Sequence, residues 1–146
     1  TGDAPVYLTT WQHYWNPAPQ VRRNDFEITT RFQNEPDGLL TGGKATRLIV
    51  TVKITKAAEF VMINIPIPAG CSYANKDMNH YKEAHREYYR NEVAIFCERL
   101  SVGEHTFEVE LLPRYPGKYT LNPAKVELMY FPTFYSNNGL KNARIK

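Results

Sequence analysis

The chain has 146 residues, 42% hydrophobic and 13% aromatic, which excludes a disordered tail and fits one domain burying roughly 70% of its unfolded surface. Its net charge of +3 comes from 18 basic and 15 acidic residues dispersed along most of the chain, whereas a nucleic-acid partner asks for a clustered basic footprint. No apolar run approaches the roughly 18 residues of a membrane span, so direct insertion by a helix is not expected. The chain opens at Thr1 without a methionine or a charged-then-apolar leader, and it reads as a fragment or processed product whose signal or lipid anchor would lie upstream.

Residues 6–15 alternate, with Val6, Leu8 and Thr10 on one face and Tyr7, Thr9 and Trp11 on the other, predicting a strand broken by Pro17 and Pro19. With its linker to residue 24, this stretch is expected to pack on the domain body. Trp11, Tyr14 and Trp15 make an aromatic cluster, suited to core or inter-domain packing more often than to ligand stacking. Residues 25–33 alternate cleanly, with Phe26, Ile28, Thr30 and Phe32 opposed to Glu27, Thr29 and Arg31, as in an antiparallel strand with one wet face. Pro36 and Gly38 mark a turn, and Leu39 and Leu40 stand ready to cover an edge.

Residues 44–56 predict the longest strand, with Leu48, Val50, Val52 and Ile54 inward. A short turn leads to residues 59–65, where Val61, Ile63 and Ile65 share one face, so the two runs are expected to pair as antiparallel neighbours. Pro66 and Pro68 end that strand, and Gly70 closes the corner, where a positive φ costs it least.

Two periods compete over residues 75–90. Met78, Tyr81, His85 and Tyr88 make a helical stripe, while His85, Glu87 and Tyr89 alternate with Arg86, Tyr88 and Arg90. The expectation is a short helix or irregular cap over 76–82, then an extended stretch. Further strands place Val93, Ile95 and Cys97 inward, then Phe107, Val109 and Leu111, then Tyr119 with Leu121, and finally Val126, Leu128 and Tyr130, ending at Pro132. Residues 136–146 are polar and read as a mobile tail. Eight or so short strands between turn signals predict an all-β fold, a two-sheet antiparallel β-sandwich over residues 25–135.

Motifs of chemistry are scarce. No P-loop, dinucleotide fingerprint, HExxH or GxSxG occurs, so no cofactor is called for. His80 and His85 are five residues apart and miss the i, i+4 face that a helical metal pair needs. Cys97 falls on an inward strand face, predicting an inert thiol, and Cys71 lies in a loop beside the corner. Whether the two pair as a disulfide is a matter of geometry that spacing does not fix. Nothing places two carboxylates across one cleft. The residues point away from an enzyme.

The corner IPIPAG and the run YYRNEVAIFCERLSVGEHTFEVELLPRYPGKYTLNPAKVELMY resemble the C-terminal domain of bacterial alpha-2-macroglobulin-like proteins, counterpart of the receptor-binding domain of animal alpha-2-macroglobulins. The likeness is carried by Pro66, Pro68, Ala69 and Gly70, by Leu100, Gly103 and Phe107, by Pro116, Gly117, Tyr119, Pro123 and Ala124, and by Met129 with Tyr130. These are corners and core positions, so they speak to fold before function. The resemblance implies a macroglobulin-type sandwich without catalysis, metal or cofactor. It would act in a periplasmic or cell-surface endopeptidase inhibitor that traps proteases, with the parent's other domains as partners. The family's thioester motif, a cysteine followed closely by Glu-Gln, is absent, since Cys71 precedes SYA and Cys97 precedes ERL. Lys76 and Lys82 lie where animal relatives bind a clearance receptor, a function not carried over here. The candidate interaction surface is Trp11, Tyr14, Trp15 and Phe134. The alternative is a stand-alone carbohydrate-binding or adhesion sandwich using the tryptophans.

Overall fold

The computed structural model describes residues 5–12, 16, 18–35, 37–77 and 81–146. Among them, regular structure is entirely β: β1 (Phe26–Phe32), β2 (Leu39–Leu40), β3 (Thr46–Ile54), β4 (Ala58–Pro66), β5 (Cys71–Tyr73), β6 (His85–Tyr88), β7 (Glu92–Leu100), β8 (Gly103–Pro113), β9 (Gly117–Leu121), β10 (Lys125–Leu128), β11 (Phe131–Asn137) and β12 (Lys141–Ile145).

Two sheets form the sandwich, one ordered β1-β3-β8-β5 and the other β11-β10-β4-β7-β6, and a third sheet, β2-β12-β9, adjoins them. All pairings are antiparallel except β2 with β12. For β3, β4, β7 and β8 the predicted inward faces are the buried ones. Leu48, Val50, Val52 and Ile54, Val61, Ile63 and Ile65, Val93, Ile95 and Cys97, and Phe107, Val109 and Leu111 join one continuous core. At its centre Val126, Ile63 and Ile95 form one rung across three strands. Apolar burial of this kind contributes roughly 1.5–3 kcal/mol per large side chain before the entropy of ordering is charged against it.

Several expectations give way. β3 and β4 are not neighbours. β3 lies between β1 and β8, β4 between β10 and β7, and residues 55–57 cross from one sheet to the other. A period of two identifies the inward face of each strand and leaves its partner open; sequence adjacency is only a tendency. Residues 5–12 form no strand and are exposed, because alternation makes a strand only where a ladder satisfies its backbone. Further along, Arg22 forms an isolated antiparallel bridge with Asn137.

Residues 136–146 are no loose tail. β12 pairs along its whole length with β9, burying Ala143 and Ile145 at alternate positions, and Lys141 Nζ donates to the Thr30 carbonyl. Pro132 lies inside β11 instead of ending the chain's last strand. Gly70 is absent from the positive-φ glycines, which are Gly38, Gly43, Gly103 and Gly117. Its missing side chain makes room instead: a Cβ would stand 2.4 Å from Cζ of Tyr119.

No helix occurs among the described residues of 74–84, and His85–Tyr88 is a strand. A buried ion pair fixes this course. Arg86 and Glu83 side chains are 1% and 0% exposed. Arg86 Nε donates to Glu83 Oε2 at 2.9 Å and its Nη2 to Glu83 Oε1. Nη1 reaches across to the Glu108 carbonyl at 2.8 Å, on β8 of the opposite sheet. Burial works against the guanidinium charge, but hydrogen bonds to Glu83 and Tyr88 outweigh it and raise its pKa further. Beside it, the rings of Tyr73 on β5 and Tyr88 on β6 meet edge to face, 4.9 Å apart. One side seam of the sandwich is thus closed by a charged clamp and an aromatic pair.

Such a pair is expensive to break and dispensable as a pair. Arg86→Met alone is expected to cost about 3–5 kcal/mol by stranding the Glu83 carboxylate, and Glu83→Leu with Arg86→Met to recover most of it. Urea unfolding midpoints check this; a single-variant loss below about 1 kcal/mol would contradict the clamp.

Candidate functional site

At the opposite seam β1 faces the β10–β11 hairpin, and closure is incomplete. Ser136 Oγ accepts from the backbone N–H groups of Asn24 and Phe26, at 3.2 and 3.3 Å. Asn138 Nδ2 donates to Thr30 Oγ1 at 2.8 Å. Towards residues 55–60 these ties stop, and a groove of about 800 Å³ opens. Its lining includes Phe26 and Leu128, the turn residues Lys56 and Ala57, and the aromatic side chains of Phe60, Tyr130, Phe131 and Phe134. Asp25, Glu59, Lys56 and Arg99 supply charges of both signs.

Two local irregularities aim those aromatic rings outward. The β4–β7 ladder is regular from Val61–Cys97 to Pro66–Glu92 and again at Glu59–Arg99 and Ala58–Leu100, but it skips Phe60. Burial changes parity at that rung on both strands: Glu59 and Phe60 are both exposed, as are Glu98 and Arg99. Phe60 has φ of 53° and is the one non-glycine with positive φ among the described residues. A bulky side chain in that conformation costs on the order of 1–3 kcal/mol. Its carbonyl accepts from Met129 N–H at 2.9 Å, and its ring meets Tyr130 edge to face at 5.1 Å.

The second irregularity lies between Glu127 and Leu128, where the β10–β11 register jumps from Glu127–Tyr135 to Leu128–Phe131. The extra residues bow outward, a bulge that re-aims side chains. Hence Tyr130, expected inward, stands exposed together with Phe131 and Phe134. Phe60 and these three are 45–68% exposed. Single exposed apolar residues are ordinary, whereas a contiguous aromatic patch around a groove marks a contact surface.

Of the four residues singled out in the sequence, Phe134 belongs to this groove. Trp11 stands away from cover at 84% exposure. Tyr14 and Trp15 lie outside the described residues. Phe60, Tyr130 and Phe131 were missed as site residues. The signal was present in LMYFPTFY, residues 128–135, where apolar and aromatic residues run on with no period of two.

The remaining candidates sit elsewhere. Cys71 on β5 and Cys97 on β7 are free thiols on opposite sheets. Burial pushes the first up to about 11 and the second to about 12, with Glu83 adding to the latter. Both thiols therefore stay protonated and poorly nucleophilic at neutral pH. His85 stacks on Phe96, and His105 Nε2 lies 2.8 Å from the Ser101 carbonyl. His13 and His80 lie outside the described residues. Among the described residues no three His, Cys, Asp or Glu side chains gather as metal ligands.

If Phe60 is held in a left-handed conformation by its neighbours, the side chain's tolerance of that conformation should govern stability. Phe60→Asn is expected to leave the domain about 1 kcal/mol or more stabler than Phe60→Val, although both lose the contact with Tyr130. Equal unfolding midpoints for the two variants would contradict the strain.

Comparison with known proteins bears on the whole arrangement. Native E. coli alpha-2-macroglobulin superposes with a TM-score of 0.77 at 17% identity, over 91% of this chain and 10% of that one. A Salmonella alpha-2-macroglobulin mutant gives 0.77 at 17%, over 88% and 10%. The E. coli fragment from domain MG7 to the C-terminus gives 0.72 at 17%, over 87% and 24%. At that identity the likeness is one of fold, and this chain spans between a tenth and a quarter of those chains. No curated protein sequence matches. The model of the bacterial alpha-2-macroglobulin MG10 domain matches residues 19–133. That match takes in ten of the twelve strands whole and the start of β11, and the chain belongs to the bacterial alpha-2-macroglobulin MG10 domain family.

Proposed function

We propose that the chain is a non-catalytic interaction domain of a larger bacterial alpha-2-macroglobulin-like protein, and that its aromatic groove is the face that docks on a neighbouring domain. The patch formed by Phe60, Tyr130, Phe131 and Phe134 around a groove of about 800 Å³ carries this reading. Aromatic side chains deliver large contact area at low entropic cost and dominate binding energy where they cluster. The strained backbone at Phe60 supports the same reading, since strain of this kind collects where a side chain must be displayed.

In this proposal the parent protein traps proteases, and the domain holds a neighbour in place while the assembly rearranges around its attacker. Placement near the parent's C-terminus, as a counterpart of the animal receptor-binding domain, and a periplasmic or cell-surface location belong to the same proposal. They rest on the motif resemblance set out above. The alternative, a carbohydrate-binding sandwich built on Trp11 and Trp15, gains no support from Trp11, which projects into solvent apart from the groove's aromatic patch.

The test uses the full-length protein that carries this domain. Phe131→Asp with Phe134→Asp is expected to weaken inhibition of a trapped protease on a protein substrate on the order of tenfold, as for loss of an interface hot spot. Tyr115→Asp, at an exposed tyrosine outside the groove, is expected to leave inhibition unchanged. Unaltered inhibition by the double variant, or an open reading frame that ends at this single domain, would contradict the proposal.

A further inference from the structure

β12 joins two pieces of chain that are distant in sequence. Among the described residues, β2 and β9 each have β12 as their one strand partner. β12 runs antiparallel to β9 from Lys141–Leu121 to Ile145–Gly117, and parallel to β2 at Arg144–Leu39 and Ile145–Leu40. On the β2 side the Arg144 N–H donates to the Gly38 carbonyl at 2.8 Å and the Lys146 N–H to the Leu40 carbonyl at 3.0 Å. The Gly42 N–H donates in return to the Lys146 carbonyl at 2.8 Å. Glycine lets the backbones meet there. A Cβ on Gly38 would stand 2.4 Å from the Asn142 carbonyl oxygen, and one on Gly42 2.9 Å from that of Lys146. The cleft between β2 and β9 is thus shaped to a backbone and pairs with it along both edges.

Side chains add little to that hold. Ala143 and Ile145 are buried, so one methyl group and one large aliphatic chain fill the cleft, and Lys141 Nζ donates to the Thr30 carbonyl. Arg144 lies directly across the ladder from Lys118, and like charges so placed repel. No residue of β12 joins an ion pair among the described residues. β12 pairs with no strand of the two main sheets, and the Val126, Ile63, Ile95 rung and the Arg86 clamp close the sandwich without it. Just before the strand, Asn138 is pinned to Ala124 by a hydrogen bond in each direction, which leaves Gly139 and Leu140 as the hinge.

We propose that the cleft between β2 and β9 is a strand-binding site preformed by the sandwich, and that β12 is its detachable occupant. The site takes an extended peptide with a small residue and, two positions on, a branched aliphatic one, with polar residues between. Backbone pairing on both edges supplies affinity and the two buried positions supply selectivity, as in other cases of strand addition. Tethering keeps β12 at an effective concentration in the millimolar range, so the site is filled until that strand swings out. It shares no residue with the aromatic groove and stands independently of the docking proposal.

The test uses the full 146-residue chain. Ala143→Asp with Ile145→Asp places two carboxylates where the cleft takes apolar groups and should expel the strand. The probe is a fluorescein-labelled peptide of residues 139–146, GLKNARIK, followed by anisotropy. The variant should bind it on the order of tenfold or more tightly than the parent chain, whose own strand competes. A peptide carrying the same two aspartates should not bind. Amide exchange on the parent chain gives a second reading. Gly42, Arg144 and Lys146 should exchange together, on the order of tenfold or more faster than Val50 and Val109 in the β3–β8 ladder.

A variant that keeps its β3 and β8 amides protected but binds no peptide overturns the strand-binding site. Loss of that protection in the variant means that the cleft is not preformed, and overturns it as well. Equal binding by variant and parent places the peptide elsewhere and does the same. Exchange of Gly42, Arg144 and Lys146 at the rate of Val50 and Val109 overturns the detachment of β12.

Discussion

The buried guanidinium of Arg86 fixes how the two sheets meet along one seam. It sits fully inside the sandwich on an edge strand, held at two points by Glu83 and at a third by the Glu108 carbonyl of the facing sheet. A charge in that position is tolerated only because each hydrogen bond is made, and making them requires the two sheets to meet at one separation along that seam. The apolar core specifies that the sheets stack. The clamp specifies where one edge of the stack lies. The opposite seam is closed less completely. There β1 is tied to the other sheet by Ser136 and Asn138, and the groove opens beyond those ties.

The groove is a product of topology. Its walls come from the β3–β4 crossover, the left-handed Phe60 and the bulged β10–β11 hairpin. Each is a place where the regular ladder fails, and each failure turns an aromatic ring outward. A protein that needed only stability would gain by removing Phe60 from positive φ and by burying Tyr130. Keeping both costs stability and provides a surface, the pattern expected of a domain that works by contact.

Much of the fold was legible in the sequence, for reasons visible in particular residues. Val61, Ile63 and Ile65 bury because a period of two admits one inward face, and the same logic succeeded for β1, β3, β7 and β8. The pairing of β3 with β8 was not legible, since periodicity names a face and not a neighbour. β12 escapes a sequence reading although Ala143 and Ile145 alternate with Asn142 and Arg144, because polar residues in a short terminal stretch resemble a tail. Arg86 had no apolar signature at all, and its inward placement follows from Glu83 three residues earlier, a pairing that a helical reading also allowed. The site was legible only at Phe134. A period of two reads Phe60 and Tyr130 as ordinary strand residues, and their display arises from a skipped rung and a bulge that exist only once the strands are paired.

The most direct measurement is amide hydrogen exchange on the chain alone and on the full-length protein that carries it. Residues 57–60 and 128–134, which frame the groove, should exchange on the order of tenfold or more slowly in the full-length protein, where a neighbouring domain covers them. Core amides of β3 and β8 should exchange at similar rates in both. Groove amides that exchange at the same rate in the two proteins would contradict the docking surface.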